Sequence, residues 1–548
     1  MTDTYSNNLN LSIRPELTYF ASVPDKSSTK YFGILREDRR RHVYILGKTG
    51  MGKSTLLENM VLQDIYNGGG VCFLDPHGDT AESLLNKIPA HRQQDVIYFN
   101  PADMANPIGL NMLEPTNEEE VFLLASSMMA VFKRIWEGMW SSRMEYILNN
   151  TLLALLETPD NTLLGVLRML TDDDFREYIV KKLRDPLVKN FWIKEYAGFN
   201  DRYRTEAIAP ILNKIGQFFS TPLIRNILGQ PKSTINIRKI MDEQKILIVN
   251  LSKGKLGEDN SNLLGSLLVT KLQLAAMSRV DIPESQRADF SLYVDEFQNF
   301  TTDSFASILS EARKYRLNLV LAHQYISQLT ETGNERIKNA IFGNVGSIIA
   351  FRVGAEDGYK LEREFEPVFT SQQLISLSKT QIALKMSIDG KVAQPFQAST
   401  IPPLFEDINQ AFSFVITNSR RMFTLPRDTV ETDISDWLGI DFADETGKVK
   451  SKRQQKKKSQ FSHLTQSSSQ KPAQNGTAAA DVSVPQPLNN TQPSSVHLPL
   501  SSSTPNAHFS HSSLKAKLNS LKGAPSNPFS NQPQTPTLGD DLLFTLPD

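Results

Sequence analysis

The chain has 548 residues, 40% of them hydrophobic, a formal net charge of -1 and one cysteine, Cys72. At roughly 100–200 residues per domain this length allows about three to four domains. A single cysteine excludes a disulfide framework and a cysteine-rich zinc site, and it suits a reducing compartment. The near-neutral charge gives no global pull towards nucleic acid, so any such contact must come from local basic patches.

The N-terminus, Met1–Asn10, is polar and lacks the apolar stretch of a secretory signal. No run approaches ~18 consecutive apolar residues, so no transmembrane segment is expected. The expected location is the cytoplasm, free or docked at the inner face of the cell membrane. Residues 1–40 are expected to be a short extended lead-in ending in the charged turn Arg36–Arg41. A first stretch of α/β core is expected over 41–116. Here Val43–Leu46, Val71–Leu74 and Val96–Phe99 are expected strands, and Ser54–Tyr66 a helix. Short apolar runs between helices imply a parallel sheet covered on both faces.

Over 117–238 the strand signal fades. Apolar residues recur at helical spacing in Glu119–Trp136, Arg143–Leu156, Leu163–Leu170, Asp172–Lys182 and Thr205–Phe219. This predicts an inserted all-α domain. Strands return over 239–430, at Lys245–Leu251, Phe290–Val294, Asn318–Ala322, Gly346–Phe351, Gln381–Met386 and Val392–Phe396. Helices are expected between them at Asn262–Arg279, Thr302–Arg316 and Arg336–Phe342. Ile388-Asp389-Gly390 is a hairpin signal joining the last two strands, so the sheet should end in an antiparallel edge. Residues 431–548 read as a mostly disordered polar tail. Ser459–Thr537 is rich in Ser, Pro, Gln and Asn and cannot bury enough apolar surface to offset chain entropy.

The chemistry starts at Gly47-Lys48-Thr49-Gly50-Met51-Gly52-Lys53-Ser54, a full G-x-x-x-x-G-K-[ST] between an expected strand and helix. Its backbone N–H groups and the helix N-terminus suit phosphate oxygens. Lys53 is expected between the β- and γ-phosphates, the Ser54 hydroxyl on Mg²⁺, and Thr55 near the α-phosphate. The apolar strand Ser291–Val294 ends in Asp295 and Glu296. Asp295 at the strand tip can hold Mg²⁺ through water, and Glu296 is placed to act as general base. The loop around Lys53 and the tip at Asp295 are expected on adjacent strands.

Asn318–Ala322 runs into His323 and Gln324, at the strand end where open parallel sheets bind ligands. Gln324 is expected to sense the γ-phosphate or to position water. Arg313 and Arg352 are both candidates for an arginine that neutralises transition-state charge from a neighbouring subunit. Asp75-Pro76-His77-Gly78-Asp79 reads as a turn shaping the crevice rather than a metal site. Arg202, Arg204 and the Lys450–Lys458 run are the basic candidates for nucleic-acid contact.

Several blocks together are more specific than the P-loop alone. They are His42–Leu57, Leu74–Asp79, Phe99-Asn100-Pro101 with Asn111-Met112-Leu113, Tyr293–Phe297, Glu311–Gln324 and Ala350-Phe351-Arg352. In these the chain, over about residues 30–425, resembles the conjugative coupling ATPases of type IV secretion, of the VirD and TraG kind. These belong with the HerA and FtsK DNA translocases. The resemblance implies a RecA-like P-loop motor with a helical insertion, ATP and Mg²⁺ as cofactors, a homo-hexamer around a DNA channel, and partners among secretion-channel, relaxase and membrane-anchor proteins. It also implies a trans-acting arginine in an Arg-Lys-x-x-Leu stretch, which Arg313-Lys314-Tyr315-Arg316-Leu317 fits, favouring Arg313 over Arg352. Many members carry N-terminal transmembrane helices, and none is read here. Two other functions stay open: an ATPase that assembles the apparatus or recruits substrates without moving DNA, and a HerA-like repair translocase.

Overall fold

The computed structural model describes residues 14–439, apart from 26–27, 116–119, 137, 303–304, 330–334 and 389. Thirteen strands occur among them: β1 (Leu17–Asp25), β2 (Ser28–Leu35), β3 (Val43–Leu46), β4 (Gly70–Asp75), β5 (Val96–Phe99), β6 (Ile246–Asn250), β7 (Phe290–Val294), β8 (Leu317–His323), β9 (Ser347–Ala350), β10 (Gln381–Lys385), β11 (Ser387–Ile388), β12 (Lys391–Val392) and β13 (Phe396–Thr400). Eleven of these form one sheet in the order β2-β1-β13-β10-β9-β3-β8-β7-β4-β6-β5. The run from β9 to β5 is parallel. The four strands from β10 to β2 extend it antiparallel. This is a mostly parallel P-loop NTPase sheet.

Every residue of the parallel strands is buried. That is why they read as unbroken apolar runs rather than alternating ones. The period-2 pleat nevertheless sends successive side chains to two different cores. Val43, Ile45, Val71 and Phe73 pack with the helices Lys53–Tyr66 and Asp79–Asn86 on one face. Tyr44, Leu46, Cys72 and Leu74 join the opposite core, with the helix Glu258–Met277 and the helices between β5 and β6.

Between β5 and β6 the described residues contain helices and no strand, the longest being Glu120–Ile135, Ser142–Leu156 and Asp201–Ser220. Their apolar faces share one continuous core with the sheet. The stretch Glu258–Asp281 is long and apolar enough to cross a membrane by composition, with a mean hydropathy of 1.2, but 72% of its apolar window is buried inside the protein. It reads as apolar because it fills the space between the sheet and the helical segment.

Four expectations change. The lead-in is not a mere approach to the core, because β1 and β2 are strands of the main sheet and Ala21 pairs with Thr400. The expected pairing of Gln381–Met386 with Val392–Phe396 is displaced. β10 pairs with β13, and Ile388 pairs with Lys391 in the small separate hairpin β11–β12. Burial decides this: Val392 is 61% exposed, whereas Phe396 and Ala398 are buried. The helix expected over Thr302–Arg316 is α-helical only over Phe305–Glu311. It tightens into a 3-10 turn at Ala312–Tyr315 and ends at left-handed Arg316, where the chain swings into β8. The tail expected from residue 431 begins with a packed helix, Arg427–Leu438, that buries Val430 and Ile434. Residues 440–548, with Lys450–Lys458, lie outside the described residues.

Candidate nucleotide site

The P-loop leaves the carboxyl end of β3 and is tied to its neighbours by its own backbone. Gly47 N–H donates to the His323 carbonyl at 3.3 Å, and Lys48 N–H donates to the Arg352 carbonyl at 3.0 Å. Gly50 and Gly52 take left-handed φ values of 78° and 113°, which glycine adopts without steric cost. Lys53 opens the following helix and folds back over the loop. Its Nζ donates to Gly47 O at 2.6 Å and Lys48 O at 3.4 Å. Burial pushes its ammonium below the ordinary lysine value, while Glu296 and Asp295 pull the other way. Ser54 is exposed and Thr55 half-buried at the head of the helix. Met51 is buried in the core with its side chain, so only its backbone is free for phosphate.

Asp295 and Glu296 follow directly on β7. Glu296 holds a left-handed backbone (φ 44°, ψ 50°), uncommon for a non-glycine residue and a mark of functional turns. Both side chains are buried. Burial first, and then the charges of Glu296 and Asp75, push the Asp295 carboxyl up to about 7, against a downward pull from Lys53. Asp75 stays in a structural role. Its oxygens accept the His77 and Ala81 N–H groups at 2.8 and 2.9 Å, so the Asp75–Asp79 segment is the expected crevice turn.

β3 and β7 are not neighbours, in contrast to the expectation of adjacent strands. β8 lies between them, and Gln324, the residue just after it, spans the gap. Thr49 Oγ1 donates to Gln324 Oε1 at 2.8 Å, and Gln324 Nε2 donates to Glu296 Oε1 at 2.7 Å. One line of hydrogen bonds thus joins the P-loop to the Asp-Glu tip. Beneath it Tyr44 Oη bonds the His323 ring, and Phe297 packs edge-on to the same ring at 4.9 Å. Burial, helped by Lys53, pushes His323 down to about 3, so the ring is neutral.

The two arginines part company. Arg352 is half-buried beside the P-loop of its own chain. Arg313 is exposed on the turn before β8, and its charge reaches His42, which precedes β3. That is the amino end of the strands, away from the chain's own P-loop. Arg202 is 90% exposed and pairs with Glu206. Arg204 is anchored on the Tyr196 ring at 5.6 Å and on the Phe199 carbonyl, so it is a packing residue.

A polar cavity of about 500 Å³ opens beside Glu296, lined also by His77, Arg134, Lys253, Gln298 and Gln324. Among the described residues no group of three or more His, Cys, Asp or Glu side chains could hold a metal by itself. The donors present still fit Mg²⁺, because the Ser54 hydroxyl and Asp295 carboxylate are hard oxygen ligands and Mg²⁺ takes its remaining ligands from phosphate and water. Gln298 was not legible from the sequence. It donates from Nε2 to Glu296 Oε2 at 2.9 Å, and the only signal is an amide two residues after the acidic pair.

The model of the type IV secretion-system coupling protein DNA-binding domain matches residues 32–394. The chain belongs to this family. It is similar to the type 4 coupling protein DotL of Legionella pneumophila subsp. pneumophila, at 19% identity, covering 58% of this chain and 48% of that protein. The chain therefore spans about half the length of that curated relative. Among solved structures it is similar to the plasmid coupling protein TrwB in complex with ADP and Mg²⁺ (TM-score 0.52, 18% identity, 69% of this chain and 90% of the other). It is similar also to TrwB with a non-hydrolysable ATP analogue (TM-score 0.53, 17% identity, 69% and 90%). At such identity the likeness shows that this family member has the TrwB-like fold.

Proposed function

We propose that the chain is an ATP-hydrolysing DNA motor of the conjugative coupling type, bringing DNA or a DNA–protein substrate to a type IV secretion channel. The observation that carries the reading is the unbroken line Thr49–Gln324–Glu296 between the P-loop and the buried acidic tip. It links the place where a γ-phosphate would sit to the carboxylate that would activate water.

The backbone N–H groups of Gly47–Ser54 and the ammonium of Lys53 bind the phosphates. Lys53 is already aimed at the loop and surrenders its carbonyl partners to phosphate oxygens. Ser54 and Asp295 would hold Mg²⁺, which when bound neutralises charge on the phosphate oxygens. Glu296 accepts the proton of the attacking water. Gln324 senses the γ-phosphate. Arg313 reaches the site of a neighbouring copy, and Arg352 serves the site of its own chain. This division favours a ring of subunits, a homo-hexamer by family resemblance, with the helical segment 117–238 as an inserted domain. The DNA-binding family, the likeness to TrwB in its complexes with ADP and Mg²⁺ and with an ATP analogue, and the DotL likeness support this reading.

The test is the ATPase rate of the full chain with and without single- and double-stranded DNA, beside Glu296→Gln. The expected result is DNA-stimulated turnover that falls by ~10²–10⁴-fold in Glu296→Gln, with ATP binding retained. Turnover indifferent to either DNA would transfer the reading to an ATPase that recruits protein substrates. The anchoring of Arg204 favours that alternative, since it removes one of the basic contacts expected for DNA.

A further inference from the structure

Glu296 is held by far more than its place at a strand tip. Its N–H donates to Asp295 Oδ1 at 3.0 Å, and its carbonyl accepts the Asn299 N–H at 3.0 Å and the Asn299 side-chain amide at 2.9 Å. Each carboxylate oxygen then accepts a different glutamine. Gln324 Nε2 lies on Oε1 at 2.7 Å and Gln298 Nε2 on Oε2 at 2.9 Å.

The two glutamines are not equivalent. Gln324 has its other end on Thr49 in the P-loop, so anything that enters the loop disturbs it. Gln298 sits in the 3-10 turn that follows Glu296, two residues away in sequence, and among the described residues its side chain bonds Glu296 and not the P-loop. Its own Oε1 is buried and without a hydrogen-bond partner among the described residues. Its NH₂ is the end that has a partner, and that partner is the carboxylate. A carboxylate oxygen offers about two lone-pair directions, so an amide on Oε2 leaves Oε1 able to take a water proton once Gln324 withdraws.

We propose that Gln298 is a positioning residue that keeps Oε2 of Glu296 fixed, while Gln324 releases Oε1 when a γ-phosphate draws it towards the P-loop. The base would thus be oriented at all times, and the departure of Gln324 would free a second direction on Oε1 for water when nucleotide is present. This rests on the reading of Glu296 as the general base.

The experiment compares ATP turnover, KM for ATP and melting temperature of the full chain as wild type, Q298M, Q298E and E296Q. Q298M removes the donor and keeps the shape. Its kcat is expected to fall by ~10–100-fold, since a slightly misplaced catalytic group costs that much, with KM and melting temperature little changed. Q298E likewise removes the donor and keeps the shape, and it sets a like charge against Glu296. Its kcat is expected to fall at least as far as that of Q298M with KM for ATP little changed, a split between kcat and KM that a packing role, read first in the melting temperature, would not produce. If Q298M does not fold, the kcat-against-KM split of Q298E decides. A kcat within about twofold of wild type in a folded variant overturns the role of Gln298 while an inactive E296Q leaves the base reading intact. Full activity in E296Q overturns both.

Discussion

Gly47 shows how closely the P-loop is fitted to its surroundings. A Cβ at this position would meet Phe351 Cβ at 2.5 Å, a distance no packed side chain adopts. Gly47→Ala is expected to strain the loop by about 1–3 kcal/mol and to lower ATP affinity by ~10-fold or more, read by fluorescent-nucleotide titration. Phe351→Ala should not rescue it, because the clash is with an atom that alanine keeps. Full affinity in Gly47→Ala would mean that the loop moves away from β9 to bind. At this scale the sequence carried the identities of Lys53, Asp295, Glu296 and Gln324, because strand-end and glycine-rich patterns are local. It could not carry Gln298 or the Tyr44–His323 pair, which depend on which strand tips lie together.

At the scale of the elements, one buried ion pair fastens four of them. Arg39, in the turn after β2, pairs with Asp64 on the P-loop helix at 2.5 Å, and also bonds Thr18 on β1 and Ser291 and Tyr293 on β7. Burial alone would raise the Asp64 carboxyl, but the Arg39 charge and its hydrogen bonds hold it below the ordinary value. Breaking a buried pair from one side leaves an uncompensated charge, so Asp64→Asn should cost about 3–5 kcal/mol in a denaturant titration. A loss below ~1 kcal/mol would show the pair to be solvated.

His42 adds a pH signature. It lies just before β3, accepts the Leu319 N–H on Nδ1 at 3.2 Å, and is pushed by burial from 6.5 down to about 4. Between those values the unfolded chain binds a proton that the folded chain refuses. Stability therefore falls as pH drops from about 6.5 to about 4. Asn can accept the same N–H and tolerates the left-handed backbone that His42 adopts (φ 68°). His42→Asn is expected to flatten part of that slope in thermal melts across this range. An unchanged slope would assign the acid sensitivity to other groups, His323 first among them.

For the whole molecule, the placement of the two arginines makes a prediction about assembly. Arg313 is exposed at the amino end of the strands, far along β3 and β8 from the P-loop it would need to serve. Arg313→Ala and Lys53→Ala are each expected to be inactive alone. Mixed together they should regain part of the ATPase rate, because some junctions then pair an intact P-loop with an intact arginine. No regain at any mixing ratio would remove Arg313 from a trans role and leave Arg352.

The linear chain determined a good deal by itself: the phosphate loop, the acidic strand tip, the parallel strands with their helical interruption, and the family resemblance. All of these are written in runs of neighbouring residues, where periodicity, glycine placement and strand-end chemistry act locally. Tertiary structure alone decided that β8 separates β3 from β7, that the first strands close the sheet against Phe396–Thr400, that Arg204 is spent on packing, and that two glutamines grip one glutamate. Those facts arise from contacts between segments tens to hundreds of residues apart. There the burial of one face and the satisfaction of buried polar groups choose among arrangements that short-range patterns leave equally open.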